Sequence, residues 1–136
     1  MLNFVAKFSS PQDGLENLDK IGMRDHIIDA RNMPLGRIAS EIAVILQGKK
    51  SPKYNPRLIG EDRVLVKNVG LLIVTGRKFK EKKYFRHTGY VGHLKMRTFE
   101  QLFSRDPKKV LREAVRRMLP KNFLNQKRLK NLIFVE

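Results

Sequence analysis

The sequence predicts an α/β layer fold, and two observations carry that prediction. Short apolar, β-branched runs at HIIDA (26–30), VLVKN (64–68), LLIVTG (71–76) and NLIFV (131–135) have the character of buried strands. Between them, longer stretches repeat apolar residues at three-four spacing, the mark of helices with one buried stripe. The resulting order, strand–helix–strand–strand–helix–helix–strand, layers helices on a sheet. At 136 residues the chain suits a single domain with a real core.

Residues 1–24 read as a leader, punctuated by Ser9-Ser10-Pro11 and Asp13-Gly14, and residues 25–136 as the domain. HIIDA forms the first strand. Asn32 is placed to cap the next helix, with Pro34 in its first turn, where a missing N–H costs nothing. Along PLGRIASEIAVILQ, residues Leu35, Ile38, Ala39, Ile42, Ala43 and Leu46 form the stripe, and Gly48 can end the helix in a left-handed conformation. GKKSPKYNPR (48–57) is a basic loop. VLVKN and LLIVTG follow as two strands. GRKFKEKKYFRH then sets six bases against one acid, Glu81, and leads into the glycine loop HTGYVGHLK. Thr98 and Gln101 make a capping box for TFEQLFSR. Asp106-Pro107 opens a helix that stops at Leu119 because Pro120 follows. PKNFLNQKRLKN (120–131) is a basic loop with room for one helical turn, and NLIFV is the last strand.

Charge narrows the function. The chain holds 29 Lys plus Arg against 13 Asp plus Glu, a net of +16. Residues 1–33 contribute four bases and five acids, so the remainder carries 25 bases against eight acids, or +17. Such an excess repels itself unless a polyanion neutralises it, which points to nucleic acid or an anionic surface. The absence of cysteine removes zinc ribbons, Cys-His fingers, disulfides and thiol nucleophiles together. No apolar run reaches transmembrane length. The first twenty residues lack the apolar block of a secretory signal, and their three acids oppose a transit peptide, although Phe4, Lys7 and two serines keep an organellar address open.

Enzymatic motifs fare poorly. His87 and His93 are six apart, a spacing that fits neither one helix face nor one strand face, and no Cys, Asp or Glu lies in their loop to complete a metal site. Nothing beside them forms a nucleophile–base–orienter set. GLLIVTGRK (70–78) has five residues between its glycines where a phosphate loop needs four. The basic clusters, by contrast, fall in loops and interleave with Tyr54, Phe79, Tyr84, Phe85 and Tyr90, whose flat faces can stack on bases. Phe79 and Phe85 are expected in the core instead. Gly89 and Gly92 let backbone approach a phosphate closely. Dispersed basic loops suit backbone and shape recognition of a folded RNA.

At this point the residues resemble a known family. HIIDARNMPLGRIASEIAVILQGKKSPKYNP, the GED-x-V-x-VKN segment, VTGRKFKEKKYFRHTGYVGHLK and RRMLPKN, in that order, are similar to the large-subunit ribosomal protein numbered thirteen in the universal nomenclature. The resemblance covers about residues 26–135. It implies a largely parallel central sheet flanked by helices, here of about four strands, and a structural rRNA-binding role early in large-subunit assembly, with no catalysis and no cofactor. Carried across residue by residue, Lys49, Lys53, Tyr54, Arg77, Lys78, Lys83, His87, Thr88, Gly89, Lys95 and Lys121 fall on the family's basic and glycine motifs. Arg37, Lys50, Arg57, Lys80, Lys82, Arg86, Arg112, Arg116, Lys127 and Arg128 join them from the basic clusters as candidate RNA contacts. The chain departs from the family at Gly92-His93, where two glycines are usual, at Arg117, usually Gly, and at 123–126, where FLNQ replaces LGR. Asn122 and Asn125 tolerate positive φ and could preserve that last loop's path.

The expectation is thus a ribosomal, cytoplasmic protein. Its partners are large-subunit rRNA and neighbouring large-subunit proteins, with no membrane, small-molecule substrate or metal. An RNA-processing enzyme using His87 or His93 and a general DNA-binding architectural protein are the competing readings. Loss of a chemical step on histidine replacement would mark the first, and equal affinity for duplex DNA and folded rRNA the second.

Overall fold

The computed structural model describes residues 24–135. The leader therefore lies outside the described residues, apart from Arg24. The central sheet has three strands, all parallel: β1 (Arg24–Asp29), β2 (Asp62–Lys67) and β5 (Leu132–Phe134), in the order β1-β2-β5. Helix α1 (Leu35–Leu46) connects the first two strands and buries Ile38, Ala39, Ile42, Ala43, Ile45 and Leu46. That stripe packs on Val64, Val66 and Leu132 of the sheet and on Leu111, Val115 and Leu119 from α4 (Pro107–Met118) and its end. Gly48 ends α1 at φ 76, as its sequence position suggested. Gly60 approaches it so closely that a Cβ there would lie 3.1 Å from Gly48 N and Leu46 O.

The fourth strand expected at LLIVTG is not in the sheet. Asn68, at φ 57, turns the chain out of β2, and its side-chain amide donates to Asp29 Oδ1 at 2.9 Å. One 3-10 turn (Val69–Leu71) follows. The next residues run beside the loop preceding α1, with Asn32 N bonded to Leu71 O, Ile73 N to Met33 O and Leu35 N to Ile73 O. The backbone demand of this apolar run is met there, and of its side chains Leu72 is buried in the core and Val74 packs on the second cluster, while Leu71 and Ile73 stay exposed. Asn32 sits at φ 57 in the same turn and does not cap α1; the cap position is Pro34, in extended conformation and without a side-chain bond.

The segment expected as a glycine loop is a β-hairpin. A four-residue helix α2 (Lys78–Glu81) leads into β3 (Lys83–His87), antiparallel to β4 (Leu94–Thr98). Of the two aromatics expected in the core, Phe79 on α2 packs there, and strand alternation turns Phe85 away. Tyr84 and the preceding Phe79 pack against a second cluster built on Phe99, Leu102 and Val110, whereas Phe85 points to the other face and is 60% exposed. Helix α3 (Phe99–Arg105) starts with the expected capping box: Gln101 N donates to Thr98 Oγ1, and Thr98 N to Gln101 Oε1. Asp106 caps α4 by accepting from Lys109 N at 3.0 Å.

The basic loop 120–131 is mostly helix α5 (Leu124–Lys130). Asn122 and Asn125 do not take positive φ; among the described non-glycine residues only Asn32 and Asn68 do. Asn125 instead donates from Nδ2 to Arg116 O and Pro120 O, tying α5 to the end of α4.

Candidate nucleic-acid interface

The register of the hairpin sorts its side chains onto two faces. Tyr84 opposes Arg97 and Arg86 opposes Lys95 on one face; Phe85 opposes Met96 and His87 opposes Leu94 on the other. The first face turns toward α4. Tyr84 stacks on Phe99 at 6.3 Å between centroids, and the Arg117 guanidinium lies 5.4 Å from the Tyr84 ring. Between hairpin and helix runs a groove of about 590 Å³. Its lining includes Arg86, Lys95, Arg97, Lys109, Arg116 and Arg117, six cations, with Glu113 as the one carboxylate among the lining residues. Glu113 is already engaged, 2.9 Å from Arg116 Nη2 and 3.9 Å from Arg117 Nε. Like charges directly opposite on a strand pair repel, so the Arg86–Lys95 pair weakens the hairpin unless an anion sits between them.

Local electrostatics follow from this crowding. Lys82 lies 5.4 Å from the Tyr84 ring and 5.9 Å from that of Phe99. Burial, and then the charges of Arg117 and Lys78, push its ammonium below the ordinary lysine range. Burial also pushes the Tyr84 phenol up. Lys82 is thus half-buried against these two rings and is not among the residues that line the groove.

The two histidines have a conformational role in this hairpin. His87 Nδ1 accepts from Gly89 N at 3.0 Å, and His93 Nδ1 donates to Val91 O at 3.0 Å, because a carbonyl only accepts. Thr88 N and Oγ1 both donate to His93 O. With Gly89 at φ 98 and Gly92 at φ 74, these bonds set the hairpin tip. The described residues contain no group of three potential metal-ligating side chains.

Of the sequence-predicted contacts, Arg86, His87, Thr88, Lys95 and Arg116 meet at the groove. Arg77, Lys78, Lys80 and Lys83 are exposed along the approach to the hairpin, and Arg37 is exposed on α1. Lys49, Lys50, Lys53, Tyr54 and Arg57 lie apart on the exposed loop after α1, where Lys50 pairs with Glu41 at 3.6 Å. Arg112 spreads over Phe134 and Lys127 over Phe123, while Lys121 is exposed.

Arg128 is a correction. It is 2% exposed, and its Nη2 donates to Leu58 O at 2.9 Å and Pro56 O at 3.4 Å. A guanidinium enclosed this way pins the loop after α1 and is withdrawn from the RNA contacts. Sequence reasoning placed Lys109 on the basic face of the 107–119 helix and left Arg97 and Arg117 outside the candidate contacts. The period-two alternation Leu94-Lys95-Met96-Arg97 was the available signal for a strand carrying two bases on one face.

Comparison with known proteins identifies relatives of this chain. A family profile described as ribosomal protein L13 matches residues 23–136. The large ribosomal subunit protein uL13 of Gloeothece citriformis is 46% identical over 112 residues, covering 82% of this chain and 74% of that protein. The same-named protein of Natranaerobius thermophilus is 46% identical over 107 residues (79% and 75%), and that of Gemmatimonas aurantiaca 43% over 115 residues (85% and 77%).

Proposed function

The chain belongs to the ribosomal protein L13 family, and on that premise we propose that it binds and stabilises large-subunit rRNA as a structural, non-enzymatic constituent of the large ribosomal subunit. The observation that carries the reading is the groove between the β3–β4 hairpin and α4, where six cations face one engaged carboxylate. RNA backbone entering it would separate Arg86 from Lys95 by phosphate and relieve their repulsion. Each phosphate neutralised releases counterions, so six such contacts give a log–log salt slope of about −4 to −5.

The hairpin and helix, joined through Tyr84 between Phe99 and Arg117, bring these cations together before RNA arrives. Arg86, Arg97, Arg116 and Arg117 offer forked donors that match phosphate oxygens, and Lys95 and Lys109 act as point charges. The cations of the loop after α1 supply a second, separate set of backbone contacts. The preferred setting is the cytoplasmic ribosome, early in subunit assembly and beside neighbouring large-subunit proteins. No helix among the described residues is long and apolar enough to cross a membrane.

The test is competition between large-subunit rRNA and duplex DNA for the full chain across a salt series. Preference for the rRNA with a slope at least as steep as the six-contact value is expected, the loop after α1 adding to it; equal affinity would overturn the assignment. In lysate, the untagged protein should sediment with large subunits and leave them only at high salt. Replacing His87 and His93 with Ala should alter binding or assembly only, since their ring nitrogens shape the hairpin tip.

A further inference from the structure

A second cavity lies at the C-terminal end of α1, beside the loop that leads to β2, and shares no lining residue with the groove. Its volume is about 180 Å³, below the ~300–1,000 Å³ of sites for drug-sized ligands and on the scale of one heterocyclic base. Its lining includes Arg24, Gln47, Lys53, Tyr54, Glu61 and Asp62. The wall is fixed in advance: Arg128 Nη2 donates to Leu58 O at 2.9 Å, and Asn131 Nδ2 to Gly60 O at 3.5 Å. Gln47 is 8% exposed, and its side-chain amide makes no hydrogen bond to any described residue. A polar group so enclosed and unpaired weakens the fold until a ligand meets it. The charges of the lining cancel, Arg24 and Lys53 against Glu61 and Asp62, so the cavity has none of the groove's attraction for phosphate. What suits it is a neutral, flat group that lies on Tyr54 and offers donors, because carboxylates only accept.

We infer that this cavity takes one unstacked guanine base of the bound RNA, an inference that rests on the RNA-binding reading above. Guanine alone among the four bases carries two adjacent donors, N1–H and N2–H, on its Watson–Crick edge, and the two oxygens of one carboxylate accept both. Glu61 is the carboxylate for this role, being exposed. Asp62 is only 6% exposed, and its Oδ1 already faces His26 Nε2 at 3.3 Å. Adenine and cytosine would turn a ring acceptor toward Glu61, and uracil its carbonyls, so each would be repelled. Tyr54, 41% exposed, is the stacking platform. The Gln47 amide, donor and acceptor at once, meets a remaining edge of the base. Exposed Lys53 holds the flanking phosphate.

The test titrates the full chain, at fixed salt, with the RNA pentamers UUGUU, UUAUU, UUCUU and UUUUU and with guanosine monophosphate, following backbone amides by NMR. UUGUU is expected to bind about tenfold tighter than the other pentamers and to shift the amides of Gly48 and Gly60, which line the cavity. Glu61→Gln keeps the shape and removes the paired acceptors, so UUGUU should fall to the level of the others. Tyr54→Ala should do the same. Both side chains are exposed, so neither change threatens the fold. Arg97→Ala, in the groove, should weaken all four pentamers alike and leave the guanine preference intact. Absence of a guanine preference, a preference that survives Glu61→Gln, or shifts confined to the hairpin and α4 would overturn the proposal and leave rRNA binding by the groove standing. Tighter binding of guanosine monophosphate than of UUGUU would overturn it as well, assigning the cavity to a free nucleotide. Failure of the RNA-binding reading shows separately, as loss of salt-dependent rRNA binding.

Discussion

Replacing Arg128 with Ala separates a structural from an RNA-contacting arginine. The side chain is 2% exposed, holds Leu58 O at 2.9 Å and has no partner at Nε. Losing a charged hydrogen bond to a carbonyl costs about 1.5–3 kcal/mol. Two buried methylenes add about 1.6 kcal/mol. Part of this is offset because no carboxylate among the described residues is paired with the buried charge, and its desolvation disappears with it. The net loss is about 2–4 kcal/mol, or about 8–16 °C in melting temperature at roughly 4 °C per kcal/mol for a chain of this size. Arg128→Met, which keeps the stem volume, should lose only about 1–2 kcal/mol. Thermal unfolding by circular dichroism reads both. Below its melting point, Arg128→Ala should weaken rRNA binding by loosening the loop that carries Lys53 and Tyr54, with the salt slope unchanged. Arg57→Ala, exposed on that loop, should instead reduce the slope by about 0.7–0.9, one contact's worth. A stable Arg128→Ala protein whose slope falls by a full contact would refute the positioning role.

Arg97→Ala and Arg117→Ala, on opposite walls of the groove, should each weaken rRNA binding and flatten the salt slope by about 0.7–0.9; filter binding at three salt concentrations checks this. Gly60→Ala should destabilise the fold by about 1–2 kcal/mol in a denaturant titration, because its Cβ would press on backbone at the end of α1. The Asp29 carboxyl is held below its ordinary value of 3.8, first by the Asn68 amide and then by Arg31 N. Its contribution is therefore complete above about pH 4 and is lost as pH falls through the lowered folded value. Asp29→Asn should flatten that acid limb, read as a smaller difference in denaturant midpoint between pH 5 and pH 3.

How far the sequence reached depended on whether a signal was local. The stripe on α1, the Thr98–Gln101 box and the Asp106 cap need only neighbours within a turn, and all three were legible. LLIVTG was misread because apolarity reports burial without naming the hydrogen-bond partner, and the loop before α1 competed successfully with the sheet. The hairpin was hidden by its own division of labour. Bases on one strand face and apolar residues on the other, either side of Gly89 and Gly92, mimic a charged loop when read linearly. Arg128 looked like its neighbours Lys127 and Lys130; only the arrival of Leu58, seventy residues away, sets it apart. Arg97 and Arg117 were missed for the same reason, since a groove exists only once two distant elements meet.

The strand order β1-β2-β5 also has a consequence in time. The sheet takes its third strand from residues 132–134, which are made after every other described strand and helix. Until they emerge, β2 presents an open edge, and the floor that Leu132 completes beneath α1 is unfinished. A nascent chain in that state exposes both apolar surface and an unpaired strand. Its basic segments, made earlier, are already able to attract RNA. Because β5 follows every other described element, its docking is the step that converts a sticky polycation into a defined shape.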